Sequence, residues 1–257
     1  MPGIVAVIHD GLNEATRWVK RVHASRGTLR LPGNNAGPVE VEMLAYEQTV
    51  LSLDALRWQD WLSAKNLTLE PDGEGVLRLA GRVSSPRAYP AAQQLSVRLE
   101  PRSGQLALDL LINDTGGASP QTLSASARFP AEGLTPLEAR LEAVAFSVPA
   151  KFADSFLPPD SPPTHQVIAS AVLDGRVSWD GSRYRAALQL RANAGDQLPE
   201  GLVPAAPLAL AFSGTAGELR LEKLHAQTPG LTLSLSNPTT LSLPRLQTNQ
   251  PATLQAE

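Results

Sequence analysis

The chain has no cysteine, only 12 aromatic residues and only four lysines among its 257 residues. The first absence excludes thiol nucleophiles, disulfide scaffolds, cysteine-type structural zinc and thiolate-held iron clusters. The second means that any interior has to be aliphatic. A dominant charge is also lacking: 22 basic residues, 18 of them arginine, face 25 acidic ones, for a net charge of −3. No bulk electrostatic case for nucleic acid follows from that balance. Long apolar runs are scarce as well. Residues 4–8 form an apolar run of five with no basic residue before it and His9-Asp10 directly after it, unlike a secretory signal peptide. The uncharged run 201–217 carries Pro204 and Pro207, which a membrane-spanning helix does not accommodate at this length. The expectation is a chain with no membrane-spanning segment, either cytosolic as written or a piece of something longer whose targeting segment lies elsewhere.

What is abundant is leucine, 40 residues of it, at a mean hydropathy of −0.11, which rules out disorder throughout. Most of these leucines alternate with polar residues at period two, as in Leu95-Val97-Leu99, Leu106-Leu108-Leu110, Ala186-Leu188-Leu190, Leu208-Leu210-Phe212, Leu231-Leu233-Leu235 and Leu241-Leu243. Alternation of this kind marks half-buried strands. Turn signals stand between the runs: Pro71-Asp72-Gly73, Asn113-Asp114-Thr115-Gly116, Asp174-Gly175, Asp180-Gly181 and Pro229-Gly230. Asp180-Gly181 is the best hairpin signal among them.

Helix is predicted in few places. Residues 13–22 bring Ala15, Trp18, Val19 and Val22 near one face, with Glu14 at the start and Lys20-Arg21 at the end, as the helix dipole favours. Thr135-Pro136-Leu137-Glu138 reads as a capping box opening a helix to about Phe146, yet Ala139-Leu141-Ala143-Ala145 also alternates as a strand would, and the two readings stay open. The proline-rich segment 157–166 is a loop dividing two sub-segments of a single β region, 1–257. Arg21-Val22-His23-Ala24 echoes Lys223-Leu224-His225-Ala226, each followed by glycine and a leucine-alternating strand, which suggests repetition.

Catalytic and metal constellations do not emerge. The nucleophile-elbow, phosphate-loop, dinucleotide and zincin motifs are absent. His9, His23, His165 and His225 are isolated from one another, and Asp174 and Asp180, the nearest thing to a carboxylate pair, each precede a glycine and read as turn residues. Trp58 and Trp61 form the one local aromatic cluster, flanked by Leu51, Leu53, Leu56 and Leu62, and read as a core or edge plug rather than a sugar platform. Arginines alternating with leucines mark a solvated outer face. The expectation is a protein that is not an enzyme, with no cofactor and no metal.

The run Ala139-Arg140-Leu141-Glu142-Ala143-Val144-Ala145-Phe146-Ser147-Val148-Pro149 leads to Phe156-Leu157-Pro158-Pro159. After it come Leu173-Asp174-Gly175-Arg176-Val177-Ser178-Trp179-Asp180-Gly181 and Tyr184 to Leu190. This texture, with Gly81-Arg82-Val83-Ser84-Ser85-Pro86 as a strand-ending step, resembles the repeating segments of the AsmA-like envelope proteins, the TamB branch in particular. The resemblance implies that 137–147 is a strand and 149–156 a helical interruption. It further implies an elongated antiparallel meander curved into a groove, β-taco-like, in the periplasm of a diderm bacterium. The full-length protein would be anchored in the inner membrane and would handle lipid or assist outer-membrane protein assembly. The chain is far shorter than those proteins.

The fold expected is therefore all-β, with one or two short helices. The function expected is shielding of phospholipid acyl chains, with envelope or outer-membrane proteins as partners by resemblance. The residues expected to line the groove are Leu106, Leu108, Leu110, Leu188, Leu190, Leu208, Leu210, Leu231, Leu233, Leu235, Leu241 and Leu243. Two rival readings stand beside it: a closed β-sandwich adhesion module whose apolar faces are consumed by its own core, and a glycan-active enzyme using Asp174, Asp180 and a tryptophan.

Overall fold

A computed structural model of the chain describes residues 2–18, 21–29, 39–47, 49–58, 62–72, 75–85, 89–102, 104–114, 121–131, 135–149, 168–194, 204–215, 217–242, 247–248 and 254–256. One helix, α1 (Pro2–Trp18), precedes β1 (Arg21–Leu29), β2 (Val39–Glu47), β3 (Val50–Trp58), β4 (Leu62–Asp72), β5 (Val76–Ser85), β6 (Tyr89–Arg102), β7 (Gln105–Asp114) and β8 (Gln121–Phe129). Then follow β9 (Glu138–Pro149), β10 (Ile168–Trp179), β11 (Tyr184–Ala194), β12 (Leu208–Gly214), β13 (Glu218–Thr228), β14 (Leu231–Leu235), β15 (Thr239–Ser242), β16 (Gln247–Thr248) and β17 (Leu254–Ala256). The protein is all-β, and its pairings are those of an antiparallel meander.

The chain divides into two compact units, Met1–Pro120 with Ser124–Leu137, and Gln121–Leu123 with Glu138–Glu257. In the first, β1 to β7 pair antiparallel, each with the next in sequence. In the second, β9 to β13 do the same. There β13 then pairs with β14 along its C-terminal half and with β15 along its N-terminal half. The two short strands are one returning strand, interrupted where Pro238 has no N–H to give to a ladder.

Several local expectations change. The helix runs Pro2–Trp18 rather than 13–22, because Arg21 and Val22 already pair with Glu47 and Tyr46 and the Arg21 guanidinium meets the Glu47 carboxylate at 2.5 Å. Helix position is set here by Val5 and Leu12 packing on the sheet, and the charge pattern of 13–22 does not report that contact. Residues 138–149 form a strand, so the capping box is not used. The His-Ala echo does not hold as strand, turn, strand in its first copy, where Gly27-Thr28-Leu29 continues β1. Of the interruption expected at 149–156, Pro149 still belongs to β9, and 150–156 and the loop 157–166 lie outside the described residues.

Asp180-Gly181 turns the β10–β11 hairpin. The Asp180 carboxylate accepts N–H groups of Arg183 at 2.8 Å and Ser182 at 3.1 Å, and these bonds hold its carboxyl below the ordinary aspartate range. Asp174-Gly175, by contrast, is not a turn but the middle of β10. Opposite it, β9 carries one residue too many: Leu173 pairs with Phe146 and Gly175 with Ala143. Ala145 takes a left-handed conformation, φ 48°, and its N–H donates to the Asp174 carboxylate at 2.7 Å. The bulge has taken a backbone donor out of the ladder, and Asp174 supplies the acceptor.

The first unit has a counterpart. β4 is bulged between Lys65 and Thr68, with Asn66 at φ 51°, and the residue facing the bulge is Gly81 of β5. The two glycines sit in matching sequences, Leu79-Ala80-Gly81-Arg82-Val83-Ser84 and Leu173-Asp174-Gly175-Arg176-Val177-Ser178. Both are places where backbones or side chains close in. A Cβ on Gly81 would lie 2.7 Å from Leu67 Cδ2, and one on Gly175 would strike the Ala187 carbonyl oxygen and Leu188 Cα. A bulged strand followed by a strand with Leu-x-Gly-Arg-Val-Ser is thus present once in each unit.

Candidate functional site

The apolar face of each unit follows from strand register. In the second unit Leu188 pairs with Gly175 and Leu210, and Leu210 pairs with Leu224. Leu190 likewise pairs with Leu173 and Leu208, and Ala186 with Val177 and Phe212. All of these side chains share one face of the sheet, because paired residues point the same way. Along β11 the alternation is strict: Tyr184, Ala186, Leu188, Leu190 and Ala192 are sheltered, whereas Arg185, Ala187, Gln189, Arg191 and Asn193 are exposed.

Phe146, the partner of Leu173, is buried, and the other larger apolar groups of this face are half-buried: Leu173, Val177, Leu188, Leu190, Leu208, Leu210 and Phe212 all keep part of their surface in contact with water. Its polar atoms are occupied. The Tyr184 hydroxyl donates to the Glu218 carbonyl at 3.0 Å while the ring stands edge-on to Phe212 at 6.1 Å, and the Thr239 hydroxyl donates to the Asn237 carbonyl at 3.3 Å. What remains is an aliphatic surface without a free donor from either hydroxyl.

The opposite face carries the charge. Glu142 is bracketed by Arg176 and Arg140, each at 2.9 Å, and these guanidinium groups, Arg176 first, hold its carboxyl below the usual range. A depression of about 330 Å³ lies across β10 to β13, lined by Asp174, Ala187, Gln189, Ala209, Ala211 and Lys223 together with Gly175, Leu188 and Leu210. It is shallow because alanines stand in register there.

In the first unit the equivalent face is built from Leu77, Leu79 and Val83 of β5 in register with Leu99, Val97 and Gln93 of β6, and from Leu108, Leu110 and Ile112 of β7 beyond them. Here α1 lies on the face. Val5 of the helix is buried with Leu77 and Leu106, and Leu12, Leu69, Leu99 and Phe129 pack around them.

The described leucines among the twelve expected to line a groove fall in both units. Leu106, Leu108 and Leu110 belong to the first unit, and Leu106, 4% exposed, is part of the core under α1. Leu188, Leu190, Leu208 and Leu210 are brought together on the second unit's face. Leu233 joins them through Ala226, Leu231 through Thr228, Leu241 through Leu219, and Leu235 pairs with Leu254. Leu231 is the outlier, 43% exposed. Leu243 lies outside the described residues. Sequence reasoning missed Leu173 and Val177, which continue the face across β10. The signal was present in the alternation Leu173-Gly175-Val177-Trp179, and reading Asp174-Gly175 as a turn broke it.

Of the candidate catalytic residues, Asp174 serves the bulge and Asp180 the hairpin. His9 lies on α1 with Nε2 3.1 Å from the Asp72 carbonyl oxygen, His23 is in β1 and His225 in β13, and His165 lies outside the described residues. Trp58 ends β3 half-buried, and Trp61 lies outside the described residues. Among the described residues there is no group of three or more His, Asp or Glu side chains placed to hold a metal ion, and no helix long and apolar enough to cross a membrane. No family model, curated protein or solved structure matches the chain.

Proposed function

We propose that this chain is a lipid-handling segment of a bacterial envelope protein of the AsmA-like kind, which shields acyl chains on a leucine face of its sheet. The observation that carries the reading is the register of Leu173, Leu188, Leu190, Leu208, Leu210 and Leu224 on one half-buried face of β10 to β13. An acyl chain suits such a surface because each methylene withdrawn from water contributes about 0.8 kcal/mol and asks for no hydrogen-bond partner. Aliphatic side chains of similar length present no shape that would select one chain over another. The mechanism is passive: no side chain acts as acid, base or nucleophile, and transport follows from continuity of the apolar strip from strand to strand. In this reading the protein works in the periplasm between the inner and outer membranes, with phospholipid as cargo and envelope or outer-membrane assembly proteins as partners.

The test is extraction and mass spectrometry of lipid carried by the purified chain. Phospholipid is expected to co-purify, and Leu210→Asp, which sets a charge in the middle of the face, is expected to remove it. Gln189→Asp, on the opposite face, should leave it in place. Lipid absent from the unaltered protein, or equally present in the folded Leu210→Asp variant, overturns the reading.

A further inference from the structure

Helix α1 occupies, in the first unit, the kind of apolar face that the second unit leaves half-open. Val5 is 4% exposed and meets Leu77, at 1%, and Leu106. Two hydrogen bonds seat the helix: His9 Nε2 lies 3.1 Å from the Asp72 carbonyl oxygen, and the Tyr46 hydroxyl donates to the Leu12 carbonyl at 2.6 Å.

Other features make this helix a weak one. Gly3 and Gly11 lie within it, and nothing stands within 4 Å of the place where either Cβ would be, so packing does not require them. Gly11, in the helix interior, costs about five-fold in helix stability relative to alanine. The first turn carries no acidic residue to meet the helix dipole. The seat does not use all of the helix's apolar surface, since Val7 is 71% and Ile8 39% exposed. A helix of 17 residues with two unneeded glycines depends on its contact with the sheet for its stability.

We infer that α1 is a displaceable cover: it stands on the leucine face of the first unit until an acyl chain takes that face, and then leaves it. This rests on the acyl-binding reading of the leucine faces. The occupant exchanged for the helix is a single aliphatic chain, because what α1 contributes at the centre of the contact is itself aliphatic, Val5 and Leu12 against Leu69, Leu77, Leu99 and Leu106. Opening the cover separates α1 from strands that remain paired with one another, which is the low-cost kind of local unfolding.

The experiment is hydrogen exchange on the full chain with and without dansyl-undecanoic acid as the probe, read separately for residues 2–18 and for the strands of each unit. Without probe, the helix amides should exchange well before those of β4 to β6, and Gly11→Ala should slow them about five-fold. With probe, the helix amides should speed up while β4 to β6 slow down, and Val5→Asp, which unseats the helix, should raise probe binding to the first unit while Gly11→Ala lowers it. Helix amides that slow down or stay unchanged when β4 to β6 become protected would overturn the cover while leaving acyl binding intact. Protection confined to the second unit overturns the cover alone, and protection in neither unit overturns both.

Discussion

The two units are built from the same local parts and differ in what lies on the leucine face. In the first, a helix packs on it, and every leucine that is buried among the described residues is there: Leu67, Leu77 and Leu106. In the second, the buried apolar residues among those described are Ala143, Phe146, Ala171 and Ala186, three of them alanines, while Leu188, Leu190, Leu208 and Leu210 are half-exposed, as Leu79, Leu108 and Leu110 of the first are. Period-two leucine therefore fixes which face is apolar and leaves open how deeply it is buried. Depth depends on whether another element lies on top, and a strand's own sequence does not encode that.

The largest effect belongs to the glycine of the second unit. Gly175→Val should cost about 4 kcal/mol, since φ there is 144° and the added carbon meets the backbone of Ala187 and Leu188. Gly81→Ala should cost less, because the closest atom it meets is the end of the Leu67 side chain. Urea denaturation of both variants measures the difference, and equal losses would break the comparison at the bulges. Next comes burial itself: Leu77→Ala should lose about 3 kcal/mol and Leu188→Ala about 1 kcal/mol, again by urea denaturation. Similar values would mean that the second unit's face is as dry as the first's.

A loss between those two, about 1.5 kcal/mol, is expected for Asp174→Ala, which leaves the Ala145 N–H without its carboxylate acceptor. Loss of amide protection at Ala145 is its direct signature. The smallest effect is that of acid. Asp180, bonded to the Arg183 and Ser182 backbone N–H groups, and Glu142, beside Arg176 and Arg140, both titrate below their ordinary range in the second unit, as Glu100 beside Arg102 does in the first. A lowered folded-state pKa contributes stability that is present above the unfolded value, about 4, and is lost as the pH falls through the folded one. Amide protection at Ser182 and Arg183 should therefore hold down to about pH 4 and fall below it. The arginines paired with Glu142 and Glu100 are solvent-exposed, so salt should shrink the parts of the effect owed to those two ion pairs more than the hairpin's.

Much of the fold was legible in the sequence because sheets with one apolar face write their strands as alternation. The strands holding Leu188, Leu210, Leu99 and Leu108 follow from it, their cross-strand partners do not, and the Asp180-Gly181 hairpin follows from its turn residues. Asp174-Gly175 was misread because the same dipeptide serves a turn and a bulged strand. The two uses differ only in what faces the carboxylate, an N–H two or three residues on at Asp180 and one 29 residues back at Asp174. The helix was misplaced for a related reason: the glycines at 3 and 11 lower local propensity, and the contact of Val5 with Leu77 and Leu106, across more than 70 residues, outweighs it.

The sequence by itself determined the class, the period and the chemistry at hand: an all-β chain whose apolar surface is leucine, with no cysteine and no motif of side chains spaced for catalysis. It also determined which residues share a face wherever a strand runs without a bulge, because side chains alternate there. Only the tertiary structure decided that α1 packs on the leucine face of the first unit and that Asp174 supports a bulge. Each of those depends on groups distant in the chain meeting in space, where the free energy of burial and of satisfied backbone donors, rather than local propensity, selects the arrangement.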